Sequence, residues 1–199
     1  MIIQRPWWQS RIKLLMQHRP IVWLTGVRRV GKTVLCQSLE NVQYFDCELP
    51  SVRREMEDPE LFLKAHDGML LALDEIHRLE DPALLLKIAA DHFPRIRVIA
   101  TGSSTLGASS KFRDTLAGRK SELYLTPLCE ADSNFPQYND RTRRFLNGGL
   151  PSFYLADLRD ERDYSEWMEA FWARDILELF RLERRNSFLK IAEILFAQI

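Results

Sequence analysis

Gly26-Val27-Arg28-Arg29-Val30-Gly31-Lys32-Thr33 fills every fixed position of the spacing GxxxxGK[ST]. The two glycines permit strained dihedrals and leave no Cβ in the way, so backbone N–H groups can converge on phosphate oxygens. Lys32 supplies a point cation able to reach β- and γ-phosphates. The Thr33 hydroxyl suits the shell of Mg²⁺, which is octahedral and mostly filled by oxygen. The chemistry that needs these types at this spacing is the binding of a nucleoside triphosphate, here read as ATP with Mg²⁺. Gly26 through Val34 form the contact segment. Arg28 and Arg29 fall where the motif fixes nothing, and solvent-facing charge is an alternative account of them.

Two further constellations lie downstream. Met69-Leu70-Leu71-Ala72-Leu73 ends in adjacent carboxylates, Asp74 and Glu75, the form of a Walker B strand. Asp74 would complete the Mg²⁺ shell, and Glu75, aimed differently from its neighbour, would orient and deprotonate an attacking water. Two acids that merely end a strand are the bland alternative. Val98-Ile99-Ala100 runs into Thr101-Gly102-Ser103-Ser104, where a hydroxyl can meet the water or the γ-phosphate. Ser103 is the first choice and Thr101 the second, against an ordinary serine-rich turn.

The elements that must position these groups follow from the pattern of apolar runs. Strands are expected at Ile21–Leu24, Val42–Phe45, Met69–Leu73, Arg97–Ala100 and Glu122–Leu125. Helices are expected at Lys32–Leu39, Pro59–Lys64 and Pro82–Asp91 between them. Alternation of this kind predicts an α/β fold, a three-layer P-loop arrangement with a parallel sheet of about five strands. Ahead of it, Trp8, Ile12 and Leu15 repeat at helical spacing and predict a helix that stops near Arg19-Pro20. Past residue 140 the pattern turns helical, with Arg141–Leu146, Tyr164–Glu183 and Ser187–Ile199. The expected division is residues 1–138 for the nucleotide-binding domain and 139–199 for a helical lid and the start of a truncated second domain.

Composition bounds the partners. The 199 residues, 46% of them hydrophobic, suffice for one substantial core. Basic and acidic residues balance at 28 each, so any nucleic-acid contact has to be local. Cys36, Cys47 and Cys129 are odd in number and lack CxxC spacing, which fits reduced thiols in a cytoplasmic protein. No run approaches the roughly 18 apolar residues of a bilayer span, so no membrane partner is expected.

Taken together the motifs resemble AAA-type P-loop ATPases, in particular the prokaryotic group whose AAA domain, type fourteen, precedes a C-terminal domain of unknown function. Leu24-Thr25-Gly26 through Thr33, Leu73-Asp74-Glu75-Ile76-His77, Thr101-Gly102-Ser103-Ser104, Leu116-Ala117-Gly118-Arg119, Leu125-Thr126-Pro127-Leu128, Gly148-Gly149-Leu150-Pro151 and Arg174-Asp175-Ile176 carry the likeness. It implies that the strand ending at Ser103 lies between the Walker A and Walker B strands. It further implies that Ser103 is the polar sensor and that Arg119 is an arginine finger for a neighbouring subunit, hence a homo-oligomer. A local acid, Asp114 or Glu122, is the alternative partner for Arg119. Val27 departs from the proline such loops often carry, and the chain is about half as long as proteins of this group.

The expected activity is hydrolysis of ATP coupled to conformational change, with Lys32, Glu75, Ser103 and Arg119 as the catalytic set and Thr33 and Asp74 on the metal. A phosphotransferase and a non-hydrolysing ATP-binding module are the rivals. Whether hydrolysis serves a nucleic acid or a protein substrate is left open. His77 follows the two acids and could tune the site, although a surface histidine explains it as well. The arginine stretches 141–144 and 181–185 read as solvated helix faces, and the aromatics Trp167, Phe171, Trp172 and Phe180 as helix packing.

Overall fold

Five short runs become the strands of one sheet, and each of the first four is followed by helix that carries the chain back to begin the next parallel strand. In this computed structural model the described residues are 4–129, 132, 141–156 and 161–173, with single positions 187, 190, 191 and 194. Strands β1 (Ile21–Thr25), β2 (Val42–Asp46), β3 (Leu70–Asp74), β4 (Arg97–Thr101) and β5 (Lys120–Tyr124) form one sheet in the order β2-β3-β4-β1-β5. All four neighbouring pairs are parallel. The expected α/β sheet of five strands is therefore present, and β4 does lie between β1 and β3.

Side chains of the central strands are buried on both faces, which explains runs without polar alternation. Ile21, Trp23, Leu71, Leu73, Val98 and Ala100 face one layer, while Val22, Leu24, Ala72 and Ile99 face the other. Helices α4 (Pro59–Ala65), α5 (Pro82–His92) and α7 (Ser110–Thr115) cover the first face with Phe62, Leu63, Leu85, Leu86 and Phe112. Helices α1 (Pro6–His18) and α2 (Lys32–Gln37) cover the second with Trp8, Ile12, Met16, Leu35 and Cys36. Asp58 and Asp81 cap α4 and α5 by accepting from the N–H of Leu61 and Leu84, each followed by proline at the first helical position. A cap of this type stabilises by about 1 kcal/mol.

Ahead of β5, three short helices were not anticipated: α3 (Pro50–Glu55), α6 (Ser104–Ala108) and α7. The last two start at Ser103 and Ser109, whose hydroxyls accept from Leu106 and Phe112 N–H, so a serine-rich stretch that reads as a turn is in fact a pair of N-caps. Gly102 and Gly107 are packing residues. A Cβ on either would stand 2.8 or 2.9 Å from the buried indole of Trp23.

The chain divides into two compact units, Met1–Asp157 and Leu158–Ile199. The first includes, beyond the sheet, α8 (Arg141–Asn147) and α9 (Pro151–Tyr154). The second contains α10 (Glu161–Phe171), along which Trp167 stacks on Phe171 at 5.2 Å between ring centres. Residues 174–186, with Arg174, Asp175, Ile176, Phe180 and the 181–185 arginine stretch, lie outside the described residues, as does most of the expected 187–199 helix. Among the described residues no helix is long and apolar enough to cross a membrane.

Candidate functional site

Thr25 ends β1, and the chain then turns through dihedrals that explain the glycines. Gly26 has φ 143° and Gly31 φ 96°, and Arg29 between them also takes a positive φ of 63°. Gly26 is doubly constrained, because a Cβ there would sit 2.4 Å from the Leu125 carbonyl oxygen. No side chain fits that gap. Gly31 is the N-cap of α2, which ends at Gln37, two residues earlier than expected. A helix of six residues carries little macrodipole, so the loop amides and Lys32 must supply most of the positive character. Val30 is buried, Val27, Arg28, Gly31 and Lys32 are half-buried, and Val34 is exposed.

The Lys32 ammonium donates to the carbonyls of Gly26 at 2.9 Å and Val27 at 3.3 Å, so it lies over its own loop. From the next residue, Thr33 Oγ1 donates to Asp74 Oδ2 at 2.7 Å. That bond joins the phosphate loop to the end of β3. Asp74 is nearly fully buried and accepts two more hydroxyls, Tyr44 OH at 2.8 Å on Oδ2 and Thr101 Oγ1 on Oδ1. Burial, and then the bond to Asp74, push the Tyr44 phenol far up, so it stays a donor. Cys36 and Cys47 are likewise raised, Cys47 to about 12, by burial first and by Asp74 second.

Glu75 differs sharply from its neighbour. Its φ of 54° is left-handed, a conformation that costs a non-glycine residue on the order of 1 kcal/mol or more, and its N–H donates to Thr101 Oγ1 at 3.0 Å. The kink turns the chain from β3 into a 3₁₀ turn, Ile76–Arg78, and swings the carboxylate out beside His77. Glu75 Oε2 lies 3.2 Å from His77 Nδ1. His77 holds the Glu75 carboxyl below the usual range, against the opposing effect of burial, with Lys32 and Arg78 adding to the lowering.

Of the two hydroxyls considered on β4, the structure brings Thr101 to the acids, where it donates to Asp74 and accepts from Glu75. Ser103 stands beyond it, capping α6, and its N–H donates to His77 Nδ1 at 3.3 Å. Arg119 is not brought to the chain's own loop. It immediately precedes β5, whose first residue Lys120 pairs with Ile21, whereas the loop follows Thr25 at the other end of β1. A five-residue strand spans about 16 Å. There Arg119 Nε and Nη2 grip Asp91 at 2.7 and 2.9 Å, so its local acid is neither Asp114 nor Glu122.

Two contributors were invisible in the sequence. Tyr44 gives no motif, being one aromatic on an edge strand. Arg5 is buried and donates from Nε and Nη2 to Asp132, from Nη2 to Thr126 O at 3.0 Å and from Nη1 to Val30 O at 3.4 Å. It thus ties the start of α1 to the loop. Burial pushes the Asp132 carboxyl up, but Arg5 and the Cys129 N–H outweigh it and leave it lowered.

The hydroxyl and carboxylate held together by Thr33 and Asp74 are hard oxygen donors of the kind Mg²⁺ selects, so the residues fit that ion. A glycine-strained loop between β1 and α2, facing the acidic end of β3 on a parallel sheet of this order, defines a P-loop ATPase domain. Residues 18–132, more than half of the chain, match the AAA domain family AAA_14, and the chain belongs to that family. It is 29% identical over 187 residues to uncharacterized proteins of Mycobacterium bovis and Mycobacterium tuberculosis. The match covers 90% of this chain and 41% of each relative, so the chain spans well under half their length. A Walker-type ATPase of Pyrococcus abyssi has the same fold, with TM-score 0.56 and 18% identity over 94% of this chain and 77% of that one.

Proposed function

We propose that the chain binds Mg²⁺-ATP at the 26–34 loop and hydrolyses it, the turnover being coupled to a conformational change. The observation that carries this reading is the Thr33–Asp74 bond, which unites the two nucleotide motifs at one point while leaving Glu75 swung clear of that cluster. Thr33 and Asp74 would hold Mg²⁺, which supplies neutralising charge to the phosphates. Lys32 exchanges its loop carbonyls for β- and γ-phosphate oxygens. Glu75 takes a proton from the water that attacks the γ-phosphorus in line, as the bond to the bridging oxygen breaks and ADP leaves. Thr101 keeps the two carboxylates apart in role, because it binds the side chain of Asp74 and the backbone of Glu75. Ser103, two residues past β4, is the sensor hydroxyl.

Arg119 acts, on this reading, on the nucleotide of a neighbouring copy in a homo-oligomer, since a strand's length separates it from its own loop. The reduced thiols Cys36, Cys47 and Cys129 fit a cytoplasmic setting. The test is phosphate release from Mg²⁺-ATP with no acceptor present. Glu75→Gln should retain ATP binding and lose turnover by roughly 10²–10⁴-fold, the usual contribution of a general base. Tight binding with no phosphate released by the wild type would replace hydrolysis with a regulatory role.

A further inference from the structure

One nitrogen of His77 stands between two groups that make opposite demands on it. Nδ1 is 3.2 Å from Glu75 Oε2 and 3.3 Å from the backbone nitrogen of Ser103. A carboxylate can only accept, so that contact is a hydrogen bond when Nδ1 carries the proton. A backbone N–H can only donate, so that contact is a hydrogen bond when Nδ1 presents its lone pair. The two tautomers of a neutral imidazole satisfy the two partners in turn, with no change of charge.

The neighbourhood makes this arrangement specific. Glu75 is held in a left-handed kink, and Ser103 is the first residue of the cap that starts α6 directly after β4. Gly102, just before it, cannot acquire a side chain without striking Trp23, so the β4 exit has little room to shift. The imidazole is partly shielded, with about a quarter of its surface exposed. Among the described residues its hydrogen-bonding contacts run to Glu75 and Ser103, none to the phosphate loop.

We propose that His77 is a positioning residue whose Nδ1 alternates between the Glu75 carboxylate and the Ser103 N–H, so that the aim of the base depends on which of the two it engages. This rests on the hydrolytic reading above. Donating to Glu75, His77 fixes one carboxylate oxygen and leaves the other for water. Accepting from Ser103, it releases the carboxylate. Misplacing a catalytic group by about 1 Å can cost on the order of 10²-fold in rate, so a lost tether should show in turnover before it shows in binding.

Three variants of this chain and one spectroscopic measurement test this. His77→Ala should lower kcat about tenfold or more while ATP affinity stays within about twofold and the melting temperature is kept, a fraction of the 10²–10⁴ that a base contributes. His77→Asn, whose amide offers a donor and an acceptor near the place of Nδ1, should recover much of that loss. The nitrogen-15 resonance of His77 Nδ1 should move on Glu75→Gln. Wild-type kcat in His77→Ala overturns the proposal, as does a parallel loss of affinity and kcat with no recovery by His77→Asn. Absence of turnover in the wild type sinks the hydrolytic reading instead, and the resonance then decides the tether alone: an Nδ1 signal indifferent to Glu75→Gln overturns it.

Discussion

At the carboxyl edge of the sheet, Lys32 donates to carbonyls of its own loop and Asp74 accepts three hydroxyls. At the amino edge, Arg119 closes on Asp91 with two short bonds, one from Nε and one from Nη2. The first edge holds charges by neutral groups, the second by an opposite charge. The Arg119–Asp91 pair is bidentate, which fixes its geometry, but both groups are open to solvent, where such pairs are screened. Lys32 and Asp74 rest on carbonyls and hydroxyls, groups that a triphosphate and its cation would replace with full opposite charges.

The largest effect that would sharpen this contrast is Lys32→Ala, which should reduce ATP binding and turnover to background with the melting temperature little changed, since the side chain lies over the loop and not in the core. Binding measured by calorimetry at wild-type affinity would remove the carboxyl edge as the nucleotide site. Next comes Arg119→Ala. If the arginine leaves Asp91 to serve a neighbour, ATP binding persists and turnover falls by about 10³-fold, the contribution of an engaged arginine finger. Mixing Arg119→Ala with Lys32→Ala should then restore activity, and wild-type specific activity should rise with protein concentration. Asp91→Ala is the counterpart, expected to keep full turnover. Equal, small losses in Arg119→Ala and Asp91→Ala without rescue on mixing would make the amino edge a purely structural pair.

The smallest effect is acid sensitivity at that same pair. Arg119 lowers the Asp91 carboxyl below its ordinary value, so the folded state binds the proton less tightly than the unfolded chain. The resulting stability is present above the unfolded value of about 3.9 and fades as pH falls through the folded one. Both groups are open to solvent, where such pairs are screened and weak. The gap in melting temperature between wild type and Arg119→Ala should therefore be slight near pH 7 and close below about pH 3.9. A gap that widens in acid would mean that Arg119 stabilises through some other contact.

Local order in the chain determined a great deal here. The phosphate loop is contiguous, so Gly26, Gly31, Lys32 and Thr33 could be read from spacing, and the unbroken apolar runs of β1, β3 and β4 announced strands buried on both faces. The acids at the end of β3 were equally plain. Only the tertiary structure decided which hydroxyl serves them. Thr101 points at Asp74 because β4 lies beside β3 in parallel register, and Tyr44 reaches the same carboxylate from β2 on the other side. Nor does any pattern put Arg5 against Asp132, 127 residues away, or Arg119 on Asp91 and not on the acids nearer in sequence. The division has one physical cause. A motif whose atoms are delivered by consecutive backbone units is fixed by residue type and spacing, whereas a contact between side chains of different strands depends on the order in which those strands assemble.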